Sequence, residues 1–273
     1  MRVQLGYSND PDDAFMVWAL ATGAVDTRGF EFELVPSDIQ TLNEWALEAR
    51  LEVTALSLAA YPLVQDRYAL LPHGASLGLG YGPIVVTREP KTLDQLRHVE
   101  IAVPGRLTTA FLVLGLALDG SFDYRELPFD SILDAVRAGS VEAGLLIHEG
   151  QLTYEAAGLE KSLDLGGWWL AETGLPLPLG VNAVRRDVPR IDELSSVLRA
   201  SIDAGLANRG AAVAYAQGFG RGLDAELTDR FVDLYVNELT QGYGTEGRRA
   251  VEELLRRAQE AGVYEDVQLE FVG

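Results

Sequence analysis

Cysteine is absent from the 273 residues, which excludes disulfide bonds, thiolate nucleophiles and cysteine metal ligands. Histidine is scarce, at three residues, so few side chains exchange protons near neutral pH without a large shift. Positive charge is also short: 22 Lys and Arg against 41 Asp and Glu give a formal charge of −19. A field of that sign repels phosphate backbones and anionic bilayers, so nucleic acid is not expected as a partner. The plainer consequence of the charge is solubility. No apolar run is long enough to span a bilayer, so no membrane insertion is expected. No charged, apolar and small-residue leader precedes the first strand pattern, which gives a cytoplasmic expectation. A Gly-x-Ser-x-Gly nucleophile elbow is missing too.

What the chain has is repetition. Val3-Gln4-Leu5-Gly6-Tyr7 leads through a polar loop into Asp12-Asp13-Ala14-Phe15-Met16-Val17. Val99-Glu100-Ile101-Ala102-Val103 leads through Pro104-Gly105-Arg106 into Thr108-Thr109-Ala110-Phe111-Leu112-Val113. A second echo follows each, Ala46–Ser57 against Val136–His148. The first pair reads as strand, loop and helix, and the second as helix, turn and strand, which predicts two similar α/β lobes with a cleft between them. With 48% hydrophobic residues, the chain can fill one large core or two ordinary ones. Helical patterns near Ile191–Ala207, Ala211–Ala216, Ala225–Val236 and Thr245–Ala261 form a helical C-terminal part. The expected lobes are 1–88 with 181–273, the larger, and 89–180, the smaller. The glycine-rich stretch Gly74–Gly82 has no Lys-Ser/Thr pair after it and reads as a flexible approach to the crossing between lobes.

In α/β sheets ligands collect beyond the carboxyl ends of strands, where helix N-termini expose N–H groups. The echoes put two such loops in the cleft, Ser8–Asp13 and Pro104–Thr109. Thr108 and Thr109 either cap their helix or offer hydroxyl and N–H groups to an anion. Asp10, Asp12 and Asp13 are accounted for in part by capping and the helix dipole. No histidine or further carboxylate stands near them at ligand spacing, so no metal is expected. The second echo delivers Ser57 and His148 to the ends of their strands. His148 is suited to proton transfer, against the plainer reading of a histidine held by packing. His73 and His98 sit in polar, loop-like settings and read as surface residues.

The runs Asp38-Ile39-Gln40-Thr41-Leu42-Asn43, Leu56-Ser57-x-Ala59-Ala60-Tyr61, Val103-Pro104-Gly105-Arg106-x-Thr108-Thr109-Ala110, Ile147-His148-Glu149 and Thr173-Gly174-Leu175-Pro176-Leu177-Pro178-Leu179-Gly180 match one family in order and spacing. The chain resembles the 1,4-dihydroxy-6-naphthoate synthases, enzymes of the futalosine route to menaquinone, over nearly its whole length up to Arg186. The resemblance implies the two-lobed, type II-like fold of periplasmic binding proteins. It implies cleavage of a small molecule, cyclic dehypoxanthine futalosine, to 1,4-dihydroxy-6-naphthoate and dihydroxyacetone, with no metal or organic cofactor. The family's catalytic base falls on His148. Its substrate contacts fall on Ala55, Leu56 and Ser57, and on Thr109 and Ala110 with Thr108 beside them. The chain departs from the pattern at Ser8-Asn9-Asp10-Pro11, where many members carry proline directly after the serine. That leaves the roles of Asp10 and Asp12 open. Two other functions fit the same fold: a solute-binding protein, which would need export and would not consume its ligand, and a chorismate dehydratase acting earlier in the route.

Overall fold

A computed structural model describes residues 1–120 and 122–273. Its strands are β1 (Arg2–Ser8), β2 (Glu31–Ser37), β3 (Val53–Ser57), β4 (Tyr68–Leu70), β5 (Ser76–Gly78), β6 (Ile84–Thr87), β7 (Ile101–Val103), β8 (Tyr124–Glu126), β9 (Ala143–Leu146), β10 (Glu160–Asp164) and β11 (Leu177–Arg185). They form two sheets, one ordered β2-β1-β3-β11-β4 with β5 also on β11, the other β10-β6-β9-β7-β8.

The repetition in the sequence is a repetition of topology. In the first sheet β1 lies between parallel neighbours β2 and β3, and antiparallel β11 follows β3. In the second, β7 lies between parallel β8 and β9, and antiparallel β6 follows β9. Leu5 stands opposite Val53 in one, and Ile101 opposite Ala143 in the other. Each echoed helix starts directly after its strand. Pro11–Thr22 is capped by Asp10, whose carboxylate accepts from Asp13 N, and ends at Gly23 with φ 71°. Thr109–Ala117 is capped by Thr108, whose hydroxyl accepts from Phe111 N. Both helices are apolar around most of their circumference, as buried helices are. Phe15, Ala14 and Ala19 are fully buried in one, Val113 and Leu114 in the other. Burial of each large side chain contributes about 1.5–3 kcal/mol.

One apolar cluster joins Leu56, Leu70 and Val181 of the first sheet to Val85, Ile101, Val103 and Leu145 of the second. A second surrounds β1 and the helix Pro11–Thr22, and a third holds Ile84, Val86, Ile132 and Val136. The two sheets therefore meet along a shared core on one side and leave a cleft on the other. The chain passes from the first sheet to the second over residues 79–83, and back between β10 and β11. Both sheet changes come a few residues before the lobe bounds expected at 88 and 181.

The helical tail runs as Ile191–Ala207, Arg209–Ala216, Ala225–Tyr235 and Gly244–Glu260 with shorter turns between. Among the described residues no helix is long and apolar enough to cross a membrane. The last residues return to the first sheet. Leu70 N donates to Glu270 O at 2.9 Å and Val272 N donates to Leu70 O at 2.9 Å, which covers the exposed edge of β4.

Two expectations need correction. Within the glycine-rich stretch, β5 pairs with β11, and a Cβ on Gly78 would lie 2.0 Å from the Tyr81 carbonyl oxygen. Glycine there allows backbone to approach backbone; it does not loosen the chain. His73 is not a surface residue. It is 3% exposed, with Nε2 2.9 Å from Ser195 Oγ, and burial pushes its pKa down to about 4, helped by the charge of Arg199. His98 is exposed as expected.

Candidate active site

The cleft leaves about 670 Å³ between its walls, counting the space at its open mouth. It opens beyond the carboxyl ends of β1, β3 and β9, where this sheet geometry collects helix N-termini. Ser8 ends β1, Asp10, Asp12 and Asp13 come from the loop and helix after it, and Ala55 and Ser57 from the end of β3. Thr108, Thr109 and Ala110 open the helix after β7, and Ile147 and His148 follow β9. Gln151, Asn182, Ser76 and Tyr235 complete the polar lining. Of the substrate contacts that the family resemblance implies, Leu56 is the one not in the cleft lining. It is fully buried in the shared core, because successive side chains of β3 point to opposite sides.

His148 and Asp10 meet across the cleft. His148 Nδ1 lies 2.8 Å from Asp10 Oδ2, with the His148 side chain 14% exposed. Its backbone takes φ 53°, a conformation uncommon for any residue but glycine, which turns the ring from the strand end toward Asp10. The edge of the Phe129 ring packs at 5.0 Å between centroids and 75°. Asp10 Oδ2 also accepts from Ser8 Oγ at 2.6 Å. Burial pushes the Asp10 carboxyl up, but the charge and hydrogen bond of His148, with hydrogen bonds from Asp12 and Ser8, outweigh it and hold Asp10 below the usual carboxylate range. Burial likewise lowers His148, and the charge and hydrogen bond of Asp10, with the charge of Glu149, outweigh that and raise it. The pair is thus a carboxylate beside an unusually basic imidazole.

The other two carboxyls behave oppositely. Asp13 Oδ2 accepts from Ser8 N at 2.6 Å, yet burial and then the charge of Asp10 push Asp13 up to about 8. Asp12 accepts from Ser76 Oγ at 3.0 Å, and burial followed by the charges of Asp10 and Asp13 raises it well above the usual range. Oxygens of the three carboxyls lie within 4.8 Å of one another. The expectation that no histidine stands near them was wrong, because sequence spacing does not measure distance across a cleft. Each of the three already accepts from a protein donor, and among the described residues no Lys or Arg lines the cleft.

Ser57, Thr108, Thr109 and Ala110 bring hydrogen-bond donors to the cleft. Asn43 is fully buried and holds Ser57: its Oδ1 accepts from Ser57 N at 2.8 Å, and its Nδ2 donates to Ser57 Oγ at 3.0 Å and to Leu107 O at 3.3 Å. The Ser57 hydroxyl keeps its proton free to donate. Both threonine hydroxyls are engaged. Thr108 Oγ1 donates to Gly105 O at 2.8 Å and accepts from Phe111 N at 3.2 Å. Thr109 Oγ1 donates to Leu179 O at 2.7 Å and accepts from Ala59 N at 3.2 Å, fastening its helix to the first sheet. What this segment presents to a ligand is the first-turn N–H groups of Thr109 and Ala110, which no helix satisfies internally.

At the mouth, Glu149 is paired with Arg221 at 3.1 Å. The same guanidinium donates to Asn9 O at 2.8 Å and Asn9 Oδ1 at 2.6 Å and lies 4.4 Å from the centre of the Phe129 ring. Glu149 therefore fastens the loops over His148 and does not orient the ring; Asp10 does that. The contact of Asp10 with His148 answers what the sequence leaves open about Asp10, whose capping role is local while this contact crosses between lobes.

The family model described as menaquinone biosynthesis matches residues 3–260. A 1,4-dihydroxy-6-naphthoate synthase of Thermus thermophilus is 43% identical over 263 residues, covering 96% of this chain and 95% of the relative. A crystal structure of an Archaeoglobus fulgidus protein superposes with a TM-score of 0.91 at 44% identity, covering 96% of this chain and 98% of that one. A Candida albicans protein described as having the generic periplasmic binding protein fold superposes with a TM-score of 0.73 at 14% identity, covering 98% of this chain and 92% of that one. The last likeness shows the fold alone, and it is the two-lobed fold expected from the sequence.

Proposed function

This chain belongs to the menaquinone biosynthesis family, and we propose that within that biosynthesis it cleaves cyclic dehypoxanthine futalosine to 1,4-dihydroxy-6-naphthoate and dihydroxyacetone, as a carbon–carbon lyase with His148 as general base. The observation that carries this reading is the contact of 2.8 Å between His148 Nδ1 and Asp10 Oδ2. A carboxylate on Nδ1–H fixes the tautomer whose Nε2 bears the lone pair and stabilises the imidazolium that forms on proton uptake. In the proposed step, Nε2 removes the proton of a hydroxyl on the sugar-derived part. The oxygen forms a carbonyl, the neighbouring carbon–carbon bond breaks, and aromatisation of the bicyclic remainder drives the reaction.

The flat, acidic remainder and the polyol place opposite demands on the cleft. A carboxylate fits the wall with the Ser57 hydroxyl and the first-turn N–H groups of Thr109 and Ala110, where a helix N-terminus favours negative charge. Ala55, Ile147 and Leu179 offer apolar contact to the rings. The polyol falls to the wall of Ser8, Asp10, Asp12 and Ser76, where a carboxylate would be repelled. The interlobe contacts exclude water and hold the reacting hydroxyl at the imidazole. The test is to incubate the purified chain with cyclic dehypoxanthine futalosine and follow the aromatic product and the triose together. Equimolar formation of both is expected. Binding without conversion would overturn the enzymatic reading and leave the cleft as a solute receptor.

A further inference from the structure

Asp12 is the carboxyl that its protein surroundings do not explain. It is 6% exposed and lines the cleft. Its Oδ2 accepts from Ser76 Oγ, and among the described residues its buried Oδ1 has no donor. Two further carboxyls stand within 4.8 Å, and among the described residues no Lys or Arg lines the cleft to compensate. A buried carboxylate with one neutral hydroxyl for support and other carboxyls alongside is unfavourable as an anion. As an acid it has an O–H to give.

We propose that Asp12 is a second catalytic residue, the general acid that protonates the oxygen receiving the electrons of the broken carbon–carbon bond. The proposal rests on the cleavage reading above and assigns its other half. His148 takes the proton of the hydroxyl, and that O–H bond pair becomes the second bond of a new carbonyl. The carbon–carbon bond breaks, and its electron pair moves through the adjoining carbon onto the oxygen of a ketone. Asp12 gives that oxygen its proton, and the enol so formed is a phenolic hydroxyl of the aromatic product. No oxidant or reductant is needed. The imidazolium and the Asp12 carboxylate left behind differ from the resting pair by the transfer of one proton, and Asp10, in contact with His148 and with an oxygen within 4.8 Å of Asp12, lies between them.

The electrostatics agree with this division of roles. Burial, then Asp10 and Asp13, keep Asp12 protonated well above the usual range, while Asp10 makes His148 more basic. Environments that push the pKa values of neighbouring groups apart are how one site holds an acid and a base together. The titratable groups around Asp12 are Asp10 and Asp13 on its own segment, Tyr235 on the helix Ala225–Tyr235 and, through Asp10, His148.

The test is Asp12→Asn, which keeps the shape and a hydrogen-bond donor but has no acidic proton. Turnover and binding of cyclic dehypoxanthine futalosine are measured against wild type across pH. Expected are a Kd within a few-fold of wild type, a kcat lower by about 10²–10⁴, and loss of the alkaline limb that deprotonation of Asp12 gives the wild type. Wild-type kcat in Asp12→Asn overturns the assignment. Should that variant fail to fold, Ser76→Ala removes the one donor that favours the charged form, and the alkaline limb is expected to move to higher pH; an unmoved limb overturns the assignment. Absence of product from the wild type itself defeats the cleavage reading, whereas product from wild type and Asp12→Asn alike defeats only the role of Asp12.

Discussion

Asp10→Asn removes one charge from the cleft and little else. Asparagine caps a helix as well as aspartate does, so the start of Pro11–Thr22 survives. What is lost is the partner at 2.8 Å from His148 Nδ1. Two consequences follow. Burial alone lowers the pKa of His148, and Asp10 is the main opposing influence. The acid limb of kcat, expected above histidine's ordinary value of about 6.5 in the wild type, should therefore fall below it in the variant. The second consequence concerns the tautomer. An asparagine amide that donates to Nδ1 moves the ring proton to Nε2 and removes the base. In serine proteases the equivalent change costs about 10⁴ in kcat, and general acid–base catalysis as a class contributes about 10²–10⁴. The expected loss is therefore about 10²–10⁴ in kcat, or about 3–5 kcal/mol of barrier. Substrate affinity should change little, because the proposed reading puts the substrate carboxylate at Ser57 and the first-turn N–H groups of Thr109 and Ala110, away from Asp10. The assay is the initial rate of aromatic product formation from about pH 5 to 9, with Kd measured separately. A kcat within about threefold of wild type, with the acid limb unmoved, refutes an orienting and charging role for Asp10.

Two other perturbations report on the remaining groups. Asp13 is pushed up to about 8 in the fold, above its unfolded value near 3.9, so the folded state binds its proton more tightly and wild-type stability from this group declines as pH rises between those values. Asp13→Asn lacks that decline. Its stability advantage should grow with pH, by up to about 1.4 kcal/mol per unit, and urea unfolding at pH 5 and pH 8 checks it; an equal difference at both pH values contradicts the shift. Arg221→Ala removes the contacts to Glu149, Asn9 and the Phe129 ring together. With a partly exposed pair the stability loss should stay at about 1 kcal/mol or less, while Kd for the substrate rises several-fold. An unchanged Kd would show that this contact does not hold the loops over the cleft.

Much of this was legible from residues alone, and the parts that were not share a cause. The echo of Val3–Val17 in Val99–Val113 translates directly into two sheets of equal topology, because strand and helix periodicities are local. Ser57, Thr109, Ala110 and His148 were placed at strand ends and helix starts, which is where local pattern puts ligand groups. Leu56 was carried along with its neighbours, and the pleat of β3 turns it into the core. Capping accounts for Asp10 only in part and leaves its role open, because its contact with His148 depends on two lobes docking, which no local pattern encodes. His73 between Pro72 and Gly74 looked polar and loop-like, and packing against Ser195 buries it. The shifted proline, Pro11, takes the first helical position, where proline fits, and Asp10 caps that helix and reaches across to His148.

A single-turnover experiment on His148→Ala tests the base most directly. With enzyme in excess over cyclic dehypoxanthine futalosine, the variant should bind the substrate with near wild-type affinity and release no 1,4-dihydroxy-6-naphthoate on the wild-type timescale, and added imidazole should restore part of the rate. Wild-type formation of the aromatic product by His148→Ala, without imidazole, would contradict the assignment of the base.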